Sequence, residues 1–454
     1  MSLPSIARYI YGIDMAKLSD WNSTHLANWL VAAVLVLVPF QGFLTVWLAS
    51  LVGHYTLLRL WDDIALLIVF GVVCYWLAQG KELRGWLAGS LLMRLILAYG
   101  ALTLLQGVVS FAKGDVTAKA LGYGLLVNLR FLAWFVAVLA AARRSSWLRE
   151  HWQQLVLWPA VVVATFAALQ FTVLPHDFLV HFGYNTTTNI APIETINHNS
   201  HYIRVQSTTR GANPLGAYLV VVLSSLAVLY FAAKRRWVWL AGGLVALLAL
   251  YATGSRSAWI GALLALIFIA WRQLKTARAR KLLGMITLVV LLVFGGAALL
   301  LRNNVSLQNA LLHTQQHSKS ATGSNSAHAS ALKNGLTDVL HQPLGDGPGT
   351  AGPASEYNSG HSARIAENYY VQIAQETGWL GAALFIGILG LVGRELYERV
   401  HSRLALVVFA AFIGIAFVNL LSHAWADDTL AFVWWGLAGI ALGAGEAKAG
   451  NGKV

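Results

Sequence analysis

Three short stretches hold residues whose types and spacing could do chemistry. RVQSTTRGANPLGAYL (204–219) sets Arg210 ahead of a Gly-Ala-Asn-Pro turn that leads into an apolar run, with Pro214 suited to the first positions of a helix. TGSRSAWIG (253–261) sets Arg256 in a very short turn between two apolar runs. ARIAENYYVQIAQETGWLG (363–381) puts Glu367, Asn368 and Tyr369 in a row just before another. A guanidinium stays charged and grips phosphate oxygens through a planar fork of N–H groups, so two held together would suit a diphosphate. A carboxylate partly withdrawn from water has its proton affinity raised and can act as a base near neutral pH. The plainer readings are that the arginines reach lipid head groups or pair with acids, and that Glu367 is a helix-start acid favoured by the dipole.

The apolar runs decide where such chemistry would sit. The chain has 454 residues, 57% hydrophobic and 11% charged, against about 25% charged in a soluble domain. This composition predicts an all-α polytopic membrane protein, with 1–454 forming a single integral membrane domain. Hydropathy predicts twelve spans, at 28–52, 61–79, 86–111, 119–142, 153–174, 214–233, 237–253, 257–271, 282–301, 378–393, 403–422 and 428–445. Arg94 interrupts the third. The single cysteine, Cys74, lies inside a run, which argues against a disulfide framework or a cysteine zinc site. The 18 tryptophans suit interfacial anchoring. A net charge of +13 in such a chain records topology rather than a nucleic-acid partner. The N-terminal residues lack a compact apolar core followed by a cleavage site, so no cleaved signal peptide is expected.

Twenty of the 32 Lys and Arg residues fall on one side of these spans, including those of ARRSSWLRE, KRRW and RQLKTARARK. Ten fall on the other, and Arg94 and Arg130 lie within spans. The positive-inside rule therefore puts both termini in the cytoplasm and turns two long segments outward, 175–213 and 302–377. In the second, AHASALKNGLTDVL predicts a short helix with Leu332, Leu336, Val339 and Leu340 on one apolar face, which HQPLGDGPGTAGPAS then breaks. Chemistry is expected on this outer side.

Further residues have weaker claims. Arg204 reads as a loop residue, and Arg130 with Asn128 inside the fourth span calls for either an acid or carbonyl partner or a ligand. Asp62 and Asp63 read as a solvated helix start that could also partner such a charge. His198 and His201 read as a polar loop rather than a metal pair, and His361 stands in reserve as a base near Glu367. The glycines of PLGDGPG could offer backbone N–H groups to a phosphate or form a plain turn. Glu376 is a fainter version of Glu367, and Asp427 and Asp428 read as caps of the last span that could also orient a base.

Together RGANPLGAYL, TGSRSAWIG, PLGDGPG and ENYYVQIAQETGWLG resemble the O-antigen ligase and polymerase superfamily of membrane glycosyltransferases, over about residues 200–390. The resemblance implies transfer of a glycan from undecaprenyl diphosphate to a glycan or lipid-glycan acceptor, at the outer face of the bacterial cytoplasmic membrane, with no metal or other cofactor. It implies that Arg210 and Arg256 bind the diphosphate, with Asn368, Tyr369, Arg204 and Arg130 as further candidates for substrate contact. Ligases of this family usually carry His-Asn where this chain has Glu367-Asn368. Glu367 is then the base, or His361 has taken over, or the acceptor differs. Ligase and polymerase are both left open. A transporter of lipid-linked substrate is the competing class, but it would favour internal repeats and mid-membrane charges, whereas the sequence shows no such repeat and its polar residues cluster outside.

Overall fold

The structure, a computed structural model, describes residues 15–185, 190–196, 199–300 and 324–443. The N-terminal residues, His198, the first part of the second long segment (302–323) and the end of the last expected span lie outside the described residues.

In hydrocarbon a chain must satisfy its backbone polar groups internally, so the apolar runs become helices. The first run is α1 (Met15–Leu37) and α2 (Gln41–Val52), joined by a tight turn at Val38–Phe40 containing Pro39. After the short α3 (Tyr55–Arg59) come α4 (Trp61–Gln79), α5 (Lys81–Gly89), α6 (Leu91–Lys113), α7 (Ala118–Arg144) and α8 (Trp147–Thr172). A two-stranded hairpin, β1 (Glu194–Ile196) and β2 (Asn199–Arg204), precedes α9 (Ala212–Ala232), α10 (Arg236–Ala252), α11 (Arg256–Gln273) and α12 (Ala277–Leu300). The chain closes with α13 (Ser324–His341), α14 (Tyr369–Glu398), α15 (Arg403–Val418) and α16 (Asp428–Gly443). Among the described residues the expected runs fall in helical segments, the first and the third each divided between two helices. Among the described residues seven stretches are long and apolar enough to cross a membrane, while α10, α15 and α16 are apolar but shorter. This is a mostly helical membrane protein.

The third run starts later than hydropathy suggests. Residues 81–89 form a separate helix, Ser90 caps α6 by accepting the Met93 N–H, and Arg94 lies in the first turn with its Nε donating to Ala88 O at 3.1 Å. The arginine thus sits at an end of the span, where it costs little. Asp62 runs the other way: it is fully buried at the start of α4, not solvated.

The core is a helix seam built on small residues, the usual means of close approach where lipid offers no hydrophobic drive. Every residue of α16 is buried, and it lies along α7. A β-carbon at Gly436 would stand 2.8 Å from Trp134 Nε1, and one at Gly443 2.6 Å from Leu139 O. The α11–α15 crossing rests on Gly261 and Gly414 in the same way, and α9 meets α11 at Gly216, where a β-carbon would be 2.8 Å from Ala258 Cβ.

Two departures concern the second long segment. α13 forms, but Leu336 and Leu340 face outward, and the side that packs is centred on Gly335, against Ala366 and Val371. The absent side chain of Gly335 lets α13 approach α14 more closely than a leucine face would. Within α14, Gly378 breaks the helix at φ 67°, ψ −171°, so the expected start of the span at 378 coincides with a kink. That conformation is available essentially to glycine alone, and a β-carbon there would meet Pro343 O at 2.4 Å. Gly378→Ala is expected to destabilise the protein by about 3 kcal/mol. Thermal unfolding in detergent would show this as a clear fall in Tm; an unchanged Tm would mean that the kink is not required.

Candidate active site

The segment Gln206–Thr209 is bolted into the protein by its hydroxyls. Ser207 Oγ donates to Val163 O at 2.8 Å and Thr208 Oγ1 to Pro39 O at 2.8 Å, while Thr209 Oγ1 donates to Gln206 O at 2.7 Å. Gly42, at the start of α2, admits this backbone so closely that a β-carbon there would touch Arg210 N at 2.9 Å. Residues 206–209 are buried, and Arg210, the next residue, is the first whose side chain is exposed.

Arg210 lines a cavity of about 200 Å³ together with Arg59, Tyr55, Tyr123, Tyr357 and Asp428. The anchors of this cluster are the two aspartates that start the last helix. Asp427 caps it, Oδ1 accepting the Leu430 N–H at 3.2 Å, and its Oδ2 lies 3.9 Å from Arg210 Nε. Burial pushes the Asp427 carboxyl above the usual range, and the Arg210 guanidinium pulls it back down. Asp428 pairs with Arg130 of α7 and, at 3.4 Å, with Arg59, whose Nη2 also donates to Tyr123 Oη at 3.1 Å. Arg130 completes its set with Ala426 O at 3.3 Å and Asp63 at 3.9 Å. Of the two readings left open for Arg130, acid and carbonyl partners describe what surrounds it. Its side chain is 4% exposed, that of Arg59 25% and that of Arg210 41%. Arg210 is therefore the guanidinium with most surface left for a ligand.

Arg256 is not among the residues lining this cavity. It opens α11 with its half-buried side chain near Arg204. Arg204 is fully engaged in joining elements: Nε donates to Thr253 O at 2.7 Å, Nη1 to Glu194 at 2.7 Å and Nη2 to Asn213 at 2.5 Å. Glu194 in turn accepts the Ala212 N–H at 2.7 Å, which caps α9. The hairpin register that sets Glu194 opposite Arg204 thus fixes the helix end that follows Arg210.

Glu367 lies at the head of α14 in the left-handed region, φ 51°. Its neighbours hold it there. Asn368 caps α14 through its Oδ1, which accepts the Val371 N–H at 3.0 Å, and donates from Nδ2 to Leu420 O; the Tyr369 N–H reaches Asn419 O at 2.9 Å. Tyr369 is fully buried, so both residues tie α14 to the loop between α15 and α16. The Glu367 carboxylate pairs with His328 of α13. Partial burial raises its proton affinity, and the imidazole lowers it again. His361 is exposed, its backbone N–H donating to Asn358 O at 3.1 Å. The loop 419–428 links the two regions, with the α14 head against its first residues and the arginine cluster on its last.

The PLGDGPG loop serves the interior. Gly349 N–H donates to Glu376 Oε1 and Gly347 N–H to Glu376 O, so these donors are spent on α14 rather than held out to a phosphate. Sequence reasoning passed over Arg59, Tyr123 and His328 as site residues. For Arg59 a faint signal existed, an outward arginine three residues before Asp62. His328 lies far from Glu367 in sequence and has no spacing that would announce it.

No curated protein matches the chain. The family model described as O-antigen ligase matches residues 241–386, a stretch that holds Arg256, PLGDGPG, His361 and Glu367 but not Arg210 or Arg59. Over these residues, about a third of the chain, the match supports the resemblance to the O-antigen ligase superfamily.

Proposed function

We propose that the chain is a membrane glycosyltransferase of the O-antigen ligase type. It moves a glycan from undecaprenyl diphosphate to an acceptor hydroxyl, on lipid A-core or another surface acceptor, at the outer face of the bacterial cytoplasmic membrane. Both termini lie in the cytoplasm. The observation that carries this reading is Arg210: an arginine at a helix start, half-exposed on a polar cavity that also contains the Arg59 guanidinium. Arg256 lies outside that cavity, and in this reading it meets the same donor from the start of α11, which is packed on the start of α9 through Gly216 and Ala258.

Chemically the task is small. The acceptor oxygen attacks the anomeric carbon opposite the diphosphate, the carbon–oxygen bond to phosphate breaks, and its electron pair leaves on the diphosphate. Fixed guanidinium groups stabilise that charge as it grows. The acceptor's proton passes to a base in the region of Glu367, and the anomeric centre inverts. No metal or other cofactor is needed in this scheme.

Polymerisation with the same donor is the second reading, favoured by Glu367 standing where ligases usually carry histidine. Surface glycans of a deletion strain separate the two: single repeat units point to a lost polymerase, unattached long chains to a lost ligase. Wild-type glycans in that strain would remove both readings.

A further inference from the structure

The His328–Glu367 pair has a geometry that neither residue has alone. It is Nδ1 of His328 that meets the Glu367 carboxylate. A carboxylate accepts and does not donate, so the imidazole carries a hydrogen on Nδ1, and in its neutral form Nε2 keeps the lone pair. That tautomer is the one a histidine base requires, and a carboxylate behind it also stabilises the imidazolium that forms. Both side chains are partly open to solvent, 43% for His328 and 39% for Glu367.

Two features keep the pair assembled. Glu367 is pinned in its left-handed conformation by Asn368 and Tyr369 on the loop beyond α15. α13 is pressed onto α14 at Gly335, where a β-carbon would come within 2.7 Å of Ala366 Cβ, and Asp338 further along the helix is taken by Arg364 and Gln375. Among the described residues, an ionisable neighbour is His423 of the loop before α16, which burial and the nearby His328 push down to about 4. It stays neutral at physiological pH and does not compete for the proton.

We propose that His328 is the general base of the transfer and that Glu367 is its positioning residue. This rests on the glycosyltransferase reading above. The acceptor O–H proton passes to Nε2 as the oxygen–carbon bond forms and the carbon–phosphate oxygen bond breaks, and the imidazolium, held by Glu367, then releases the proton to water. An imidazole titrates near neutral pH, which suits this task better than a lone carboxylate. The histidine absent from position 367 is thus supplied by a different helix.

Two measurements test this. In the first, the full-length protein in detergent is treated with diethyl pyrocarbonate across a pH series, and carbethoxylation of each histidine is read by mass spectrometry. The His328 profile should differ between the wild type and Glu367→Gln, which exchanges the carboxylate facing the imidazole for a neutral amide. Coincident His328 profiles would overturn the pairing. In the second, glycan transfer is followed in membranes that contain the endogenous lipid-linked donor. His328→Ala should lose about 100-fold or more, with partial rescue by added imidazole, whereas His361→Ala should be close to wild type. Wild-type transfer by both His328→Ala and His328→Gln would overturn the base assignment while leaving the glycosyltransferase intact. Absence of transfer by the wild-type protein itself would instead remove the function, and the base with it.

Discussion

Arg210→Ala should lower glycan transfer by about 100- to 1000-fold while the protein still folds and inserts. The size follows from what the guanidinium would do, which is to offset charge that appears on the leaving diphosphate only as the bond breaks. The preserved fold follows from its surroundings. Its contact with the Asp427 carboxylate is long at 3.9 Å, and its side chain is 41% exposed, so little packing is lost. Asp427 would lose the charge that pulls its proton affinity down, and a proton would replace that charge cheaply. Arg210→Lys keeps a point charge without the planar fork and should fall between the two. Arg59→Ala and Arg256→Ala should also lose transfer. Arg204→Ala should fail differently, by a lowered Tm, because it holds Glu194, Asn213 and Thr253 together. Transfer assays in membranes, normalised to the amount of folded protein, separate these cases. Undiminished turnover by the Arg210→Ala protein would sink the diphosphate site.

Glu376→Ala should cost about 3–5 kcal/mol of stability, enough to prevent accumulation of a folded protein. The carboxylate is fully buried and holds two elements at once: Oε2 accepts from Asn128 Nδ2 of α7 at 2.6 Å, and Oε1 from Gly349 N–H at 2.8 Å. Removing it strands both donors away from water. The glycine loop cannot shift to compensate, since a β-carbon on Gly349 would already meet Ala120 O at 2.3 Å and one on Gly124 would meet Gly349 N at 2.2 Å. Glu376→Gln retains an acceptor for one donor and should cost less, about 1–3 kcal/mol. Expression yield and thermal unfolding followed by tryptophan fluorescence would rank the variants. An alanine variant as stable as the wild type would show that the loop is held by other means.

These two residues mark how far sequence reading reaches. Arg210 stands out in the sequence because a lone arginine beside a Gly-Ala-Asn-Pro turn and an apolar run is a local signal, and the structure leaves its side chain 41% exposed on a polar cavity. Glu376 looked like a fainter Glu367, another acid at the start of a span. The difference between an acid open to solvent and one that anchors the interior lies in partners 248 and 27 residues away, Asn128 and Gly349. The two readings of the PLGDGPG loop could not be separated for the same reason: its N–H groups are donors in any fold, but only packing decides who accepts. The leucines of α13 show a milder form, in which the apolar spacing was real and the buried side was chosen by Gly335.

The sequence by itself determined the helical membrane class of the protein and where most of its helices run, because hydropathy, proline, glycine and lone charges act on the chain within a few residues. The tertiary structure decided which charges meet. It joined Arg59, Arg130 and Arg210 on Asp427 and Asp428, set Arg256 beside Arg204, and brought His328 to Glu367. Such meetings depend on how closely whole helices can approach, at Gly42, Gly216, Gly335 and Gly414 among others, and close approach between distant segments leaves no period or spacing in the sequence.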